Sequence, residues 1–288
     1  MPWGVTTIDN EILKITNKFY QMPMCNSHPG MIMILLDQSR AMEGFKATFA
    51  ARAVNRSIFE LTRECYNGDK ITNRCFVVVI GYGAKIKPIL GGTISKVEEA
   101  LLGSETIEED DGAGGVLKME IPIWVRPEAD GGTPMAEAMN QAFPTIEKWS
   151  KLCPDSFPPI IINITDGAPD DYEGGDAPIT KKAVEKLLTL HTTNGKLLFF
   201  NAHISDSLAL NSEIKLPNNR DLISDSYAKF LFDISSLLPP SLLQSARKVG
   251  FSPQANARGM VFNADTSTLI KLLIFGSNPN LGLNQSNR

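Results

Sequence analysis

Three short polar segments, each set against an apolar run or a helix-like stretch, carry the side chains best able to do chemistry. They are Asp37-Gln38-Ser39-Arg40-Ala41-Met42 after MIMILL, Asp130-Gly131-Gly132-Thr133-Pro134-Met135 ahead of AEAMNQAF, and Thr165-Asp166-Gly167 after IIINI. Carboxylates and hydroxyls are oxygen donors, which cap helices and close turns, and a carboxylate behind a buried strand can also act as a nucleophile. Taken singly, each segment has an ordinary reading: a capping turn, a helix start with proline in its first turn, and a strand-end turn. Their shared position gives them more weight, because open α/β sheets bind ligands beyond the carboxyl ends of their strands.

The elements that must position these segments are legible as patterns. Met31 to Leu36, Cys75 to Ile80, Pro159 to Ile164 and Leu197 to Ile204 are short runs rich in Val, Ile and Phe, as expected of parallel strands buried on both faces. Between them, Phe45, Phe49, Ala53, Val54, Ile58 and Leu61 share one face of a helix over 43–66. Helices are also predicted from Pro134 and over Pro178 to Thr193, the latter closed by Asn194-Gly195. The alternation predicts a doubly wound, mostly parallel α/β sheet flanked by helices. From Lys85 to Val125 the pattern changes to short strands around Gly91-Gly92 and an acidic, glycine-rich stretch, Glu108 to Gly115, which predicts a β-hairpin insertion. Further on, helices near 226–237 and 241–249 and a strand over Gly259 to Asn263 precede a last helix capped by Asp265. Residues 1–276 are expected to form one domain with a C-terminal helical and strand extension, and 277–288 a disordered tail.

Composition narrows the function classes. The chain has 288 residues, with 28 basic and 32 acidic side chains and a formal charge of -4, too balanced for nucleic-acid or membrane-surface binding by long-range field. Its four cysteines, Cys25, Cys65, Cys75 and Cys153, lack metal-type spacing and read as reduced structural thiols. No signal-peptide pattern opens the sequence and no run of about twenty apolar residues occurs, so a soluble, cytoplasmic protein is expected. Gly81-Tyr82-Gly83 lacks the third glycine of a dinucleotide fingerprint, and no phosphate loop is present. His203, in NAHIS, reads as a hydrogen-bonded structural histidine, and Asp170 and Asp171 as solvated turn residues.

The three segments together resemble the von Willebrand factor A family, whose metal ion-dependent adhesion site joins an Asp-x-Ser-x-Ser loop, a distant Thr and an Asp at a later strand end. The resemblance covers about 30–205 and implies a Rossmann-like fold with Asp37, Ser39, Thr133 and Asp166 as ligands of magnesium or manganese. Such ions take oxygen ligands in octahedral array and keep several waters, leaving a position for an outside acid. Two positions depart from the family pattern: Ala41 stands where the second serine is expected, and Arg40 where glycine is common. Alanine removes a hydroxyl ligand, and a guanidinium competes with a cation for the same carboxylates. Two outcomes stay open: metal held by the four remaining residues and water, or Arg40 paired with Asp37 or Asp166 in a metal-free pocket. The run from Asn201 to Asp265, with FDISSLLP and ARGMVFNAD, is similar to intracellular bacterial members of the family.

What the resemblance implies is a non-enzymatic module that binds a protein partner through the partner's acidic residue. Its setting would be a bacterial intracellular assembly that includes an ATPase, kinase or phosphatase. Two alternatives come from other classes: a magnesium-dependent phosphohydrolase using Asp37 as nucleophile, and a structural subunit with metal-independent contacts.

Overall fold

A computed structural model describes residues 19–110, 115–204 and 213–277. The expected tail and the acidic hairpin tip at 111–114 lie outside the described residues. The first apolar run forms strand β1 (Gly30–Asp37), buried along its whole length, and helix α1 (Phe45–Cys65) follows. Strand β2 (Cys75–Tyr82) pairs parallel with β1, and β3 (Ile86–Thr93) runs back antiparallel to β2. A short helix α2 (Ile94–Glu99) leads to the hairpin of β4 (Gly103–Asp110) and β5 (Val116–Ile123). Then come α3 (Met135–Leu152), β6 (Ile160–Thr165), α4 (Pro178–Leu187) and β7 (Leu198–Ile204). The chain continues through β8 (Ile214–Lys215), α5 (Ser226–Ile234), α6 (Pro240–Lys248), β9 (Met260–Ala264) and α7 (Thr266–Ser277).

Seven strands make the central sheet in the order β8-β9-β7-β6-β1-β2-β3. The inner strands β9, β7, β6, β1 and β2 are parallel, with an antiparallel strand at each edge. Apart from the two-residue β8, the order is that of a doubly wound fold, in which the chain starts mid-sheet, works outward to one edge, and returns to build the other. The reversal falls between β1 and β6. Alternate residues of each strand pack on opposite layers, as period-two geometry requires. Ile32, Ile34 and Leu36 of β1 join α1, α6 and α7 on one face, whereas Met31, Met33 and Leu35 join α3, α4 and α5 on the other. Among the described residues, no helix is long and apolar enough to cross a membrane.

Several local expectations are corrected. The Gly91-Gly92 strand belongs to the main sheet as β3, so the hairpin insertion is confined to 103–123. Its root is held by Asn55 of α1, whose side chain accepts from the Trp124 and Val125 amides at 3.0 and 2.9 Å and donates to the Val125 carbonyl at 2.9 Å. Helix α4 stops at Leu187 instead of running to Thr193, because 191–192 and 195–196 pair as a tight antiparallel turn. Phe45, expected on the buried face of α1, lies at its exposed amino end and stacks on Phe49.

Candidate functional site

Doubly wound sheets open a crevice where the strand order reverses, since the loops leaving the two adjacent strands turn to opposite faces. Here those loops are the ones after β1 and β6, and they carry Asp37 to Met42 and Asp166 to Asp171. Asp37 is the last residue of β1 and Thr165 the last of β6. The Thr165 hydroxyl donates to Asp37 Oδ2 at 2.7 Å and accepts from the Gly167 amide at 3.2 Å. On its other oxygen, Asp37 Oδ1 accepts the Ser39 amide at 2.8 Å. Burial pushes the Asp37 carboxyl up to about 6; hydrogen bonds from Ser39 and Thr165 restrain the rise, and the charge of Asp166 adds to it.

The third loop is laced to the first through its backbone. The Asp130 amide donates to the Gln38 carbonyl at 2.7 Å, the Arg40 amide to the Gly131 carbonyl at 3.0 Å, and the Ala84 amide to the Asp130 carbonyl at 2.7 Å. Gly131 adopts φ +80°, and a Cβ there would lie 2.3 Å from the Ala84 nitrogen, so glycine is required twice over. A Cβ at Gly83 would lie 2.4 Å from the Gln38 carbonyl oxygen and 2.6 Å from that of Asp130. The glycine turn after β2 thus serves loop contact. Thr133 is buried, and its amide donates to Asp170 Oδ1 at 2.7 Å, tying this loop to the one after β6.

Asp37, Ser39 and Asp166 therefore converge, and Thr133 stands on the facing loop. Arg40 does not enter the pocket: its side chain is 76% exposed and its guanidinium lies 3.7 Å from Asp130, so it pairs with neither Asp37 nor Asp166. The charge that reaches Asp166 is Lys46, near the start of α1, whose ammonium ion-pairs with Asp166 Oδ2. Ala41 is exposed and close to Gly167 across the rim. Sequence reasoning passed over Lys46 and Thr165. A cation at the second position of the helix that follows the Asp-x-Ser loop was the available signal for the first, and the Thr of TDG at a strand end for the second. Asp170 and Asp171 also do more than solvate a turn: Asp171 accepts from the Ile179 and Thr180 amides at 2.7 and 3.0 Å and holds the start of α4.

Among the described residues no three or more His, Cys, Asp or Glu side chains gather as a metal site, so a cation here would depend on hydroxyls beside the two aspartates. The unmet polar atoms favour one. The Ser39 hydroxyl is buried without a well-aligned partner, and neither Asp166 oxygen receives a well-formed hydrogen bond, the Lys46 contact being an ion pair. Buried groups of this kind are costly unless a ligand, water or ion satisfies them. Two carboxylates plus hydroxyls suit a hard divalent ion in donor type and charge, with one hydroxyl fewer because residue 41 is alanine. His203 lies behind this face, stacked at 4.2 Å on Phe262 and accepting the Asn263 amide at Nδ1; burial brings it down to about 4.

No family model matches the chain, and no curated protein matches it. Among solved structures it is similar to the ArnB paralog VWA2 from Sulfolobus acidocaldarius, at 13% identity and a TM-score of 0.36, over 62% of this chain and 36% of that one. It is also similar to the manganese-loaded TRAP protein of Plasmodium vivax, at 13% and 0.34, over 62% and 58%. For proximal thread matrix protein 1 from the mussel byssus the values are 13% and 0.46, over 86% and 47%. The chain thus spans less than two thirds of each of these proteins. Likenesses this distant carry no argument about activity; the class, a doubly wound α/β sheet flanked by helices, stands on the strand order itself.

Proposed function

We propose that this chain is a non-enzymatic protein-binding module of von Willebrand factor A type, which engages an acidic side chain of a partner at the carboxyl ends of β1 and β6. The observation that supports it most is the convergence, at the point where the strand order reverses, of two buried aspartates and a buried serine hydroxyl without a well-aligned partner. Asp37, Ser39, Thr133 and Asp166 are the residues that would hold magnesium or manganese. When bound, the ion supplies an open coordination position that a partner's carboxylate can fill. The chain's own part is positional. Ser39 N–H and the Thr165 hydroxyl fix both oxygens of Asp37, Asp170 fixes the loop bearing Thr133, and the small residues Ala41 and Gly167 leave the rim open to an approaching side chain. Placement in a cytoplasmic bacterial assembly with an ATPase, kinase or phosphatase rests on the similarity of the 201–265 run alone.

Surface plasmon resonance against immobilised peptides bearing a single Asp or Glu tests this reading. Binding is expected to need the free acid, to fail against amidated peptides, and to drop at least about tenfold in Asp37→Ala. Binding that ignores Asp37 and Asp166 substitutions would place the interface elsewhere. Phosphoester turnover abolished by Asp37→Asn would replace the reading with an enzymatic one.

A further inference from the structure

We propose that Lys46 is a tethered counter-cation of Asp166, so that its ammonium and a divalent ion compete for the face Asp166 shares with Asp37. The inference rests on the reading of this face as a cation site. Lys46 is the second residue of α1 and its side chain is only 14% exposed, while that of Asp166 is 1% exposed. An ammonium so far removed from water is stable only if paired, and a carboxylate as buried as Asp166 has the same need. The ion pair balances both charges within the chain, without any metal, while Asp166 Oδ1 still lacks a hydrogen bond. Arg40, the cation expected from its place in the Asp-x-Ser loop, points outward to Asp130.

Competition follows from charge. Two carboxylates carry up to two negative charges. The ammonium cancels one of them, and a divalent ion would meet a fixed positive charge at contact distance unless the lysine withdraws. Withdrawal is feasible, since the four-carbon stem is flexible and its helix begins at an exposed edge, beside Gly44 and the 64% exposed Phe45. Once withdrawn, the ammonium stands at the rim where a partner's acid would arrive, and adds to the preference for acids. Ala41 and Lys46 then act together, one removing a hydroxyl ligand and the other supplying a charge in place of the ion.

Calorimetric titration of the full chain with manganese chloride, paired with thermal unfolding in chelator, provides the test. Lys46→Met and the milder Lys46→Gln should bind manganese at least about tenfold more tightly than the unmodified chain. Both should melt lower than the unmodified chain in chelator and recover on adding manganese, whereas the unmodified chain shifts little. Lys46→Arg, which keeps the charge, should bind as weakly as the unmodified chain, and Lys46→Gln/Asp166→Asn should respond to manganese in neither measurement. Equal affinity in the unmodified chain and Lys46→Gln would overturn the competition while leaving the cation site standing. Absence of binding even in Lys46→Gln/Ala41→Ser would overturn both.

Discussion

Two buried ionisable residues near the rim, Asp37 and His203, shift in ways that oppose one another as acid is added. The Asp37 carboxyl, raised to about 6 from an ordinary value of 3.8, takes up its proton in the folded chain before the unfolded one. Between pH 6 and 4 this titration stabilises the fold as pH falls, by about 3 kcal/mol in all. His203, lowered to about 4 from 6.5, behaves the opposite way: the unfolded chain binds the proton first, so stability is lost as pH falls from 6.5 towards 4, again by about 3 kcal/mol. The expected outcome is a urea midpoint that changes little between pH 6 and 4. Asp37→Asn should unmask a steep acid loss, and His203→Gln an acid gain. Parallel profiles for all three proteins would show that neither burial effect operates. Both residues were visible in the sequence as polar positions at strand ends, but the sign of each shift depends on what the fold packs around them.

At the scale of elements, the buried runs predicted the inner strands well because a strand covered on both faces must be apolar at nearly every position, as β1 and β6 are. The failures occurred where local pattern was neutral. Gly91 and Gly92 weaken strand character, and only pairing with Val77 and Val78 of β2 shows that they belong to the main sheet. The joint between α1 and the hairpin rests on Asn55, an unremarkable helix residue in the sequence that makes three hydrogen bonds in the structure. Truncation to alanine would strand two buried amides and a carbonyl. We expect Asn55→Ala to cost about 3 kcal/mol in a denaturant titration, and to raise amide exchange selectively at Trp124 and Val125. A loss under 1 kcal/mol with unchanged exchange would mean the hairpin is held by its other contacts, the Arg52–Glu105 ion pair among them.

For the molecule as a whole, the strand order brings together residues more than a hundred positions apart, such as Asp37 and Thr165. It also requires close approach between layers. Gly259 leads into β9, and a Cβ there would lie 2.0 Å from Phe200 Cδ1, on a ring that is itself fully buried and packed tilted against Phe275 of α7. The ring has no room to retreat. Gly259→Ala should therefore lower stability by about 3 kcal/mol, read as a fall in melting temperature. An unchanged melting temperature would show that the β7, β9 and α7 layers are more loosely packed than these distances indicate.

By itself the sequence determined the class of fold and marked the face where function is proposed to lie. Apolar runs, helical spacing and turn residues are local signals, and oxygen-bearing residues at strand ends mark the face whatever the strand order. It also set the donor type at that face, since the side chains of Asp, Ser and Thr offer only oxygen ligands. Only the tertiary structure decided which cation reaches Asp166. Arg40 is three residues from Asp37 yet points to Asp130, while Lys46, 120 positions before Asp166 in the chain, forms the ion pair. The reason is physical. A side chain's partner is set by the direction in which its backbone presents it and by the water it loses there, and both depend on the packing of α1 across the reversal between β1 and β6.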